Sequence, residues 1–343
     1  MFATLTLPAA YDPGMPQRAP TIRVRSADDL RNALRQARAH VVKLDGTGMD
    51  RVLRMDTARG LIELQAATPW TELARYLAPH GVAIDAYART PGLPATVGES
   101  VSQAAAGPDG LPVSAHVAAI TLFTSDGELR RTDRDTNSEL FRLTVGGQGV
   151  VGVIYSVTLS IESLQHSAAG AVTPVELCLE EPSAPPAHEC AIECLVPPAA
   201  LDAYLKDIRS LAEERRLALN GITVRRYRAD AHSFLRWAQQ EWAGVKVRFG
   251  VKTTIGASVA AAEVRRALLA AALAHGGAFP IRDLRDATRR QLEACYPMIA
   301  GFLADKRRGD PAERLQNAWY RSLLVTMRSE SCEVRWTPSQ GAA

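Results

Sequence analysis

At 343 residues the chain is longer than one hydrophobic core normally supports, so two domains are expected. Hydrophobic residues make up 47% and charged residues 22%, a globular balance that excludes a disordered chain. The formal net charge of +3 gives no basic face for nucleic acid, and no run approaches the ~18 apolar residues of a bilayer span. The first residues also lack a charged start, an apolar run and a small-residue cleavage site, so no secretory signal is expected. Five scattered cysteines (Cys178, Cys190, Cys194, Cys295, Cys332) without histidines at zinc spacing read as free thiols of a cytoplasmic protein that binds no metal.

Residues 1–20 are rich in proline and aperiodic, a loose lead-in. Thr21 to Arg25 alternates like a strand, and Ser26 caps a helix whose first turn holds Asp28 and Asp29 and whose buried stripe is Leu30, Leu34 and Ala37. Val41 to Leu44 reads as a strand. Met49 to Met55 and Leu61 to Ala66 read as two more, joined by a turn ending at Gly60. Thr68 and Pro69 open a second helix that Gly81 ends. Strands follow at Ala118 to Thr124 and Glu128 to Thr132 around Ser125-Asp126-Gly127, then a helix from Asn137 and a strand from Val151 to Ile161. Residues 163–187 turn to Ser, Ala and Pro and are expected to form a linker. Beyond it, strands are expected at Glu189 to Leu195, Gly221 to Arg226 and Gly244 to Val251. Helices are expected at Ala199 to Arg215, Glu263 to His275, Thr288 to Tyr296 and Met298 to Arg307.

The segment richest in chemistry is Gly146-Gly147-Gln148-Gly149-Val150-Val151-Gly152-Val153-Ile154. Glycines there permit positive φ and let exposed amides approach a ligand. Upstream stand Thr96-Val97-Gly98-Glu99-Ser100-Val101-Ser102 and Gly107, then His116, the Asp126-Gly127 hairpin and Asn137-Ser138-Glu139-Leu140-Phe141. In this order the series resembles the p-cresol-methylhydroxylase-type FAD-binding domain of the vanillyl-alcohol oxidase superfamily over roughly residues 20–162. Later motifs, including Gly276-Gly277, Tyr296-Pro297 and Lys306 to Pro311, look like the substrate domain of the same oxidases, nearest to aldonolactone and alditol oxidases and decaprenylphosphoryl-ribose oxidase.

The resemblance implies an α+β fold, with a two-subdomain FAD-binding domain at 21–162, a smaller α+β substrate domain at 188–330 and a tail at 331–343. It implies an FAD-linked oxidoreductase that oxidises a hydroxyl-bearing carbon of a small sugar-like or alcohol substrate. The cofactor contacts it implies are Gly98, Ser100, Ser102, Gly107, His116, Gly149, Gly152 and Ile154. Arg285 and Lys306 are the candidates for substrate or cofactor charge, with Asp283 near where the family's catalytic groups lie. The C-terminal segment, with Trp319 and Tyr320, is expected to return to the flavin domain.

The chain also departs from that pattern. His40 runs directly into Val41, so roughly twenty residues are missing, among them the loop amides that offset a diphosphate's desolvation and a histidine that can bond the flavin. Glycines 46 and 48 stand downstream of that loop. FAD is therefore expected to be held non-covalently, if held. Glu99 replaces a family glycine, putting a negative charge where backbone meets cofactor, and Ala104-Ala105-Ala106 replaces polar residues. The competing expectation is a non-catalytic descendant that serves as a binding or assembly module.

Overall fold

The computed structural model describes residues 21–36, 43–177, 188–252 and 254–329. The lead-in, Ala37, Val41, Val42, Cys178, the end of the expected linker, Cys332 and the tail lie outside the described residues. The chain separates into two compact units, and helix and strand are mixed in both, as an α+β fold requires.

The first unit begins with β1 (Thr21–Arg23), α1 (Ala27–Gln36) and β2 (Lys43–Asp45). Ser26 Oγ accepts from Asp29 N at 3.1 Å, and the Asp29 carboxylate accepts from Arg25 N at 3.0 Å, so the helix start is held reciprocally. β1 and β2 pair in parallel, Thr21 opposite Lys43. Val24, Leu30, Ala33, Leu34, Leu44 and Met49 form one buried cluster with Phe123 and Leu315.

Next come β3 (Val52–Asp56), β4 (Leu61–Gln65), α2 (Trp70–Leu77), α3 (Asp85–Arg89) and α4 (Val97–Ser102). Pro69, not Thr68, is the residue that caps α2: its ψ of 148° keeps it extended, outside the helix. Gly81, at φ +74°, closes the turn that follows. β5 (Val117–Phe123), β6 (Leu129–Asp133), α5 (Ser138–Thr144), β7 (Val153–Ser160) and α6 (Ile161–Ala169) complete this stretch. The sheet runs β3-β4-β7-β5-β6, every pair antiparallel. Alternation drives it: Ile62, Leu64, Ile120, Val157 and Leu159 are fully buried.

The second unit holds β8 (Val175–Leu177), β9 (His188–Val196), α7 (Leu201–Arg215), β10 (Leu219–Tyr227), β11 (Trp242–Val251), α8 (Ile255–Ala274) and α9 (Arg289–Cys295). Its antiparallel sheet runs β8-β10-β11-β9. α8 packs on α7 and on β9 and β11, burying Ile192, Cys194, Val245, Val247 and Phe249. It begins well before the expected Glu263, because Thr254 Oγ1 accepts from Ala257 N at 3.2 Å and fixes the first turn there.

Two expected boundaries change. α6 and β8 occupy much of the stretch read as linker: Ser160 caps α6, and Leu164 is fully buried, so a Ser- and Ala-rich composition here forms a packed helix. The segment 188–330 is also not one unit, since Asp230–Arg236 and Met298–Leu324 group with the first. That last stretch carries α10 (Ile299–Gly309) and the start of α11 (Ala318–Arg328). Ser125 Oγ donates to Gly309 O at 2.8 Å, Asn317 Nδ2 donates to Gln148 O at 2.7 Å, and Phe234 packs against Phe302. Among the described residues no helix is long and apolar enough to cross a membrane.

Candidate functional site

A cleft of about 660 Å³, its solvent mouth included, opens inside the first unit. One wall is Val24, Leu30, Leu44, Gly46 and Met49 from the β1-α1-β2 layer. The other is Ala66, then Gly98, Glu99 and Ser102 of α4, then Gly149, Gly152, Val153 and Ile154 at the entry to β7. Five of the eight residues singled out as cofactor contacts, from two distant segments, therefore face one space.

Local forces explain how these segments meet. Thr96 Oγ1 accepts from Glu99 N at 3.4 Å and starts α4. Gly98 N donates to Ala66 O at 2.8 Å, and a Cβ at Gly98 would stand 2.6 Å from the Ala66 Cβ, so only glycine lets α4 press against the end of β4. Gly146 N donates to Val101 O (3.1 Å) and Gln148 N to Ser102 O (2.8 Å), which ties the glycine loop to α4. Gly149 has φ +73°, and a Cβ on Gly152 would meet the Leu122 side chain at 2.4 Å. These glycines are needed for backbone shape and close packing in their own right.

The remaining predicted contacts lie elsewhere. Ser100 is fully buried and turned into the core, where its Oγ accepts from Trp70 Nε1 at 2.9 Å and donates to Thr96 O at 2.9 Å. It is a packing residue because α4 presents one face to the cleft and the opposite face to α2. Gly107 closes a turn by donating to Leu111 O at 2.7 Å and lies beside the Tyr87 ring and Ser167. His116 is 2% exposed, with Nδ1 2.7 Å from Ser163 Oγ of α6 and its ring edge-on to Tyr87. Burial pushes the Tyr87 phenol well up. None of Ser100, Gly107 and His116 lines the cleft.

Lys306 is corrected in the same way. Its side chain has no exposure, and Nζ donates to Asp310 Oδ2 at 2.5 Å and lies over the Tyr320 ring. Burial pulls its ammonium down, opposed by the Asp310 bond and charge. Asp310 in turn accepts from Arg314 N and Leu315 N, so the pair fixes the chain after α10 and is spent on structure. In the second unit Arg285 is exposed. Its charge partly offsets the burial that raises Asp283. Nearby, Arg282 and the Tyr227 hydroxyl both donate to Glu193. Burial first, and then the Glu193 charge, raises the Tyr227 phenol.

The sequence reading did not single out Val24, Leu30, Leu44, Met49 and Ala66 as lining, and Gly46, set aside there as lying beyond the missing loop, faces the cleft. Gly48 instead packs on Arg25, whose Cγ would stand 2.7 Å from an added Cβ. Glu99, flagged as a departure, does line the space, half-buried, with Gln103 Nε2 donating to its Oε1 at 3.2 Å. Among the described lining residues none is cationic. The described lining is mostly aliphatic, which suits the apolar ring portions of a flavin nucleotide, and among the described residues it offers the diphosphate no counter-charge.

Two comparisons with known proteins bear on the family of this chain. A family profile described as an FAD binding domain matches residues 31–133. Decaprenylphosphoryl-beta-D-ribose oxidase of Mycolicibacterium smegmatis (strain ATCC 700084 / mc(2)155) is 28% identical over 137 residues, 38% of this chain and 29% of that protein. The chain thus matches less than a third of that relative's length. The two matches support FAD binding and the FAD-binding oxidoreductase superfamily, and they single out no member.

Proposed function

We infer that this chain is an FAD-linked oxidoreductase acting on a hydroxyl-bearing carbon of a small sugar-like or other alcohol substrate. The observation that carries this reading is the convergence of Gly98, Ser102, Gly149, Gly152 and Ile154 on one cleft, inside the unit that holds the FAD-binding match. Flavin, when bound, supplies the two-electron acceptor for such an oxidation. The protein's part is to bind, orient and exclude water: Val24, Leu30, Leu44 and Ile154 give a dry wall, and α4 with the glycine loop gives close backbone approach. Attachment is non-covalent in this reading, since the loop that carries the family's flavin-bonding histidine is missing from the sequence. Exposed Arg285 is the candidate for an anionic group on the substrate. The sugar-type alcohol follows the name of the mycobacterial relative. Free Cys190, Cys194 and Cys295 suit a reducing, cytoplasmic setting.

A second reading, a non-catalytic descendant, is favoured by one specific arrangement. α1 ends at Gln36 and β2 begins at Lys43, leaving no room for a long diphosphate loop, and Glu99 faces the cleft. Anaerobic titration of the FAD-reconstituted protein with a panel of alditols, aldoses and simple alcohols separates the two. Loss of the yellow absorbance with at least one of them is expected. An unchanged spectrum with all of them favours the non-catalytic reading.

A further inference from the structure

The loop between α5 and β7 leads into the glycine wall of the cleft, and one left-handed residue in it is not a glycine. Gly146, Gln148 and Gly149 have φ of +70°, +54° and +73°. Glycine adopts this region freely, whereas a residue with a Cβ is disfavoured there by roughly tenfold. Gln148 is buried, and its backbone is gripped from both sides. Its N–H donates to Ser102 O at 2.8 Å, and its carbonyl accepts from Asn317 Nδ2 at 2.7 Å. Asn317 Oδ1 accepts in turn from Tyr320 N at 2.9 Å, so the same side chain caps α11 and its amide has a fixed orientation. Asn317 stands 169 residues beyond Gln148, in the late stretch that groups with the first unit.

We propose that Asn317 is a positioning residue for the cleft. By holding the Gln148 carbonyl it keeps the left-handed turn that leads Gly149, and after it Gly152, into the cleft wall. Ligand affinity then depends on the late return of the chain as well as on α4 and β7. The proposal deepens the flavin reading and rests on it only for the choice of probe. Aspartate at this position separates the two tasks of the side chain. It caps a helix as well as asparagine does, but an ionised carboxylate has no N–H to give the Gln148 carbonyl.

Amide hydrogen exchange without ligand, and titration with FAD, test it on the full chain, native and carrying Asn317→Asp. The amides of Gly146, Gln148 and Val150 donate to Val101, Ser102 and Gly147. In Asn317→Asp they should exchange about tenfold faster, with those of β5 unchanged, and FAD should bind about tenfold more weakly. Adding Gln148→Gly to Asn317→Asp removes the left-handed penalty and should recover about threefold or more of each loss. Ser125→Ala removes a side-chain bond to Gly309 of the same return, away from the loop, and should change neither by more than about twofold. An Asn317→Asp protein that exchanges and binds as the native one does overturns the proposal, and so does equal weakening by Ser125→Ala. A native Gln148 amide that exchanges freely overturns it without any variant, should Asn317→Asp fail to fold. If the native protein binds no FAD, the flavin reading falls and the exchange comparison alone decides the proposal.

Discussion

Replacing Lys306 by methionine tests whether this lysine belongs to the fold or to chemistry. Lys306 and Asp310 have side-chain exposures of 0% and 3%, with 2.5 Å between Nζ and Oδ2. Removing the cation leaves a buried carboxylate with only the Arg314 and Leu315 amides as partners. Breaking a buried pair from one side costs about 3–5 kcal/mol, and the two surviving amide bonds put this case near the lower end, ~3 kcal/mol. For a unit of this size that lowers the unfolding midpoint by roughly 6–12 °C. The double variant Lys306→Met with Asp310→Asn removes the stranded charge and keeps an acceptor for one of the two amides, so it should recover part of the loss. Thermal unfolding followed by circular dichroism reads both. A Lys306→Met protein that melts within about 2 °C of the native one refutes the assignment of this pair to the core.

Three further outcomes follow from the same structure. Gly98→Ala places a Cβ 2.6 Å from the Ala66 Cβ and 2.7 Å from its carbonyl oxygen, neither of which can swing away. It should cost about 1–3 kcal/mol by denaturant titration, whereas Gly60→Ala, with φ +63° and open space around it, should cost about 1 kcal/mol. Glu313 is held below its ordinary value of 4.5 by hydrogen bonds from Tyr320 and Arg307, which outweigh the burial that raises it. A depressed carboxyl contributes stability that is present above pH 4.5 and lost as the pH falls through its lower folded value. Glu313→Gln should therefore be less stable than the native protein near neutrality, by ~1 kcal/mol, and the gap should close on acidification. Burial raises the Cys194 thiol to about 12 and the Cys295 thiol to about 11. Both should resist alkylation near pH 8 in the folded protein and react once urea unfolds it, as peptide mass mapping will show.

Much of the fold was legible because local patterns decide local structure. The Asp126-Gly127 turn between alternating apolar runs gives the β5-β6 hairpin, and Gly127 sits at φ +85°, where the turn needs it. The glycine loop before β7 and the α4 segment were read as site-forming, and they do share a cleft. What was not legible is direction. Ser100 and Ser102 lie on the same short helix, yet Ser102 lines the cleft and Ser100 turns to Trp70, thirty residues upstream. Nothing in the local spacing of a six-residue helix packed on both faces tells which serine has which neighbour. Lys306 differs for a related reason: the family resemblance offers it as a charge for substrate or cofactor, at the head of a run with Arg307 and Arg308. Only the tertiary placement of Asp310 and Tyr320 shows that its first member is buried. The stretch from 163 read as a linker by composition, but Ser160 at the cap and buried Ile161 and Leu164 make its first part a helix packed on the sheet.

The central claim is that this first unit binds a flavin despite the short α1–β2 connection. Its most direct test is the visible spectrum of the purified full chain, recorded as isolated and again after incubation with excess FAD and gel filtration. Yellow flavin bands co-eluting with the protein, and weakened by Gly98→Ala relative to Gly60→Ala, are the predicted result. A protein that stays colourless after both steps contradicts it.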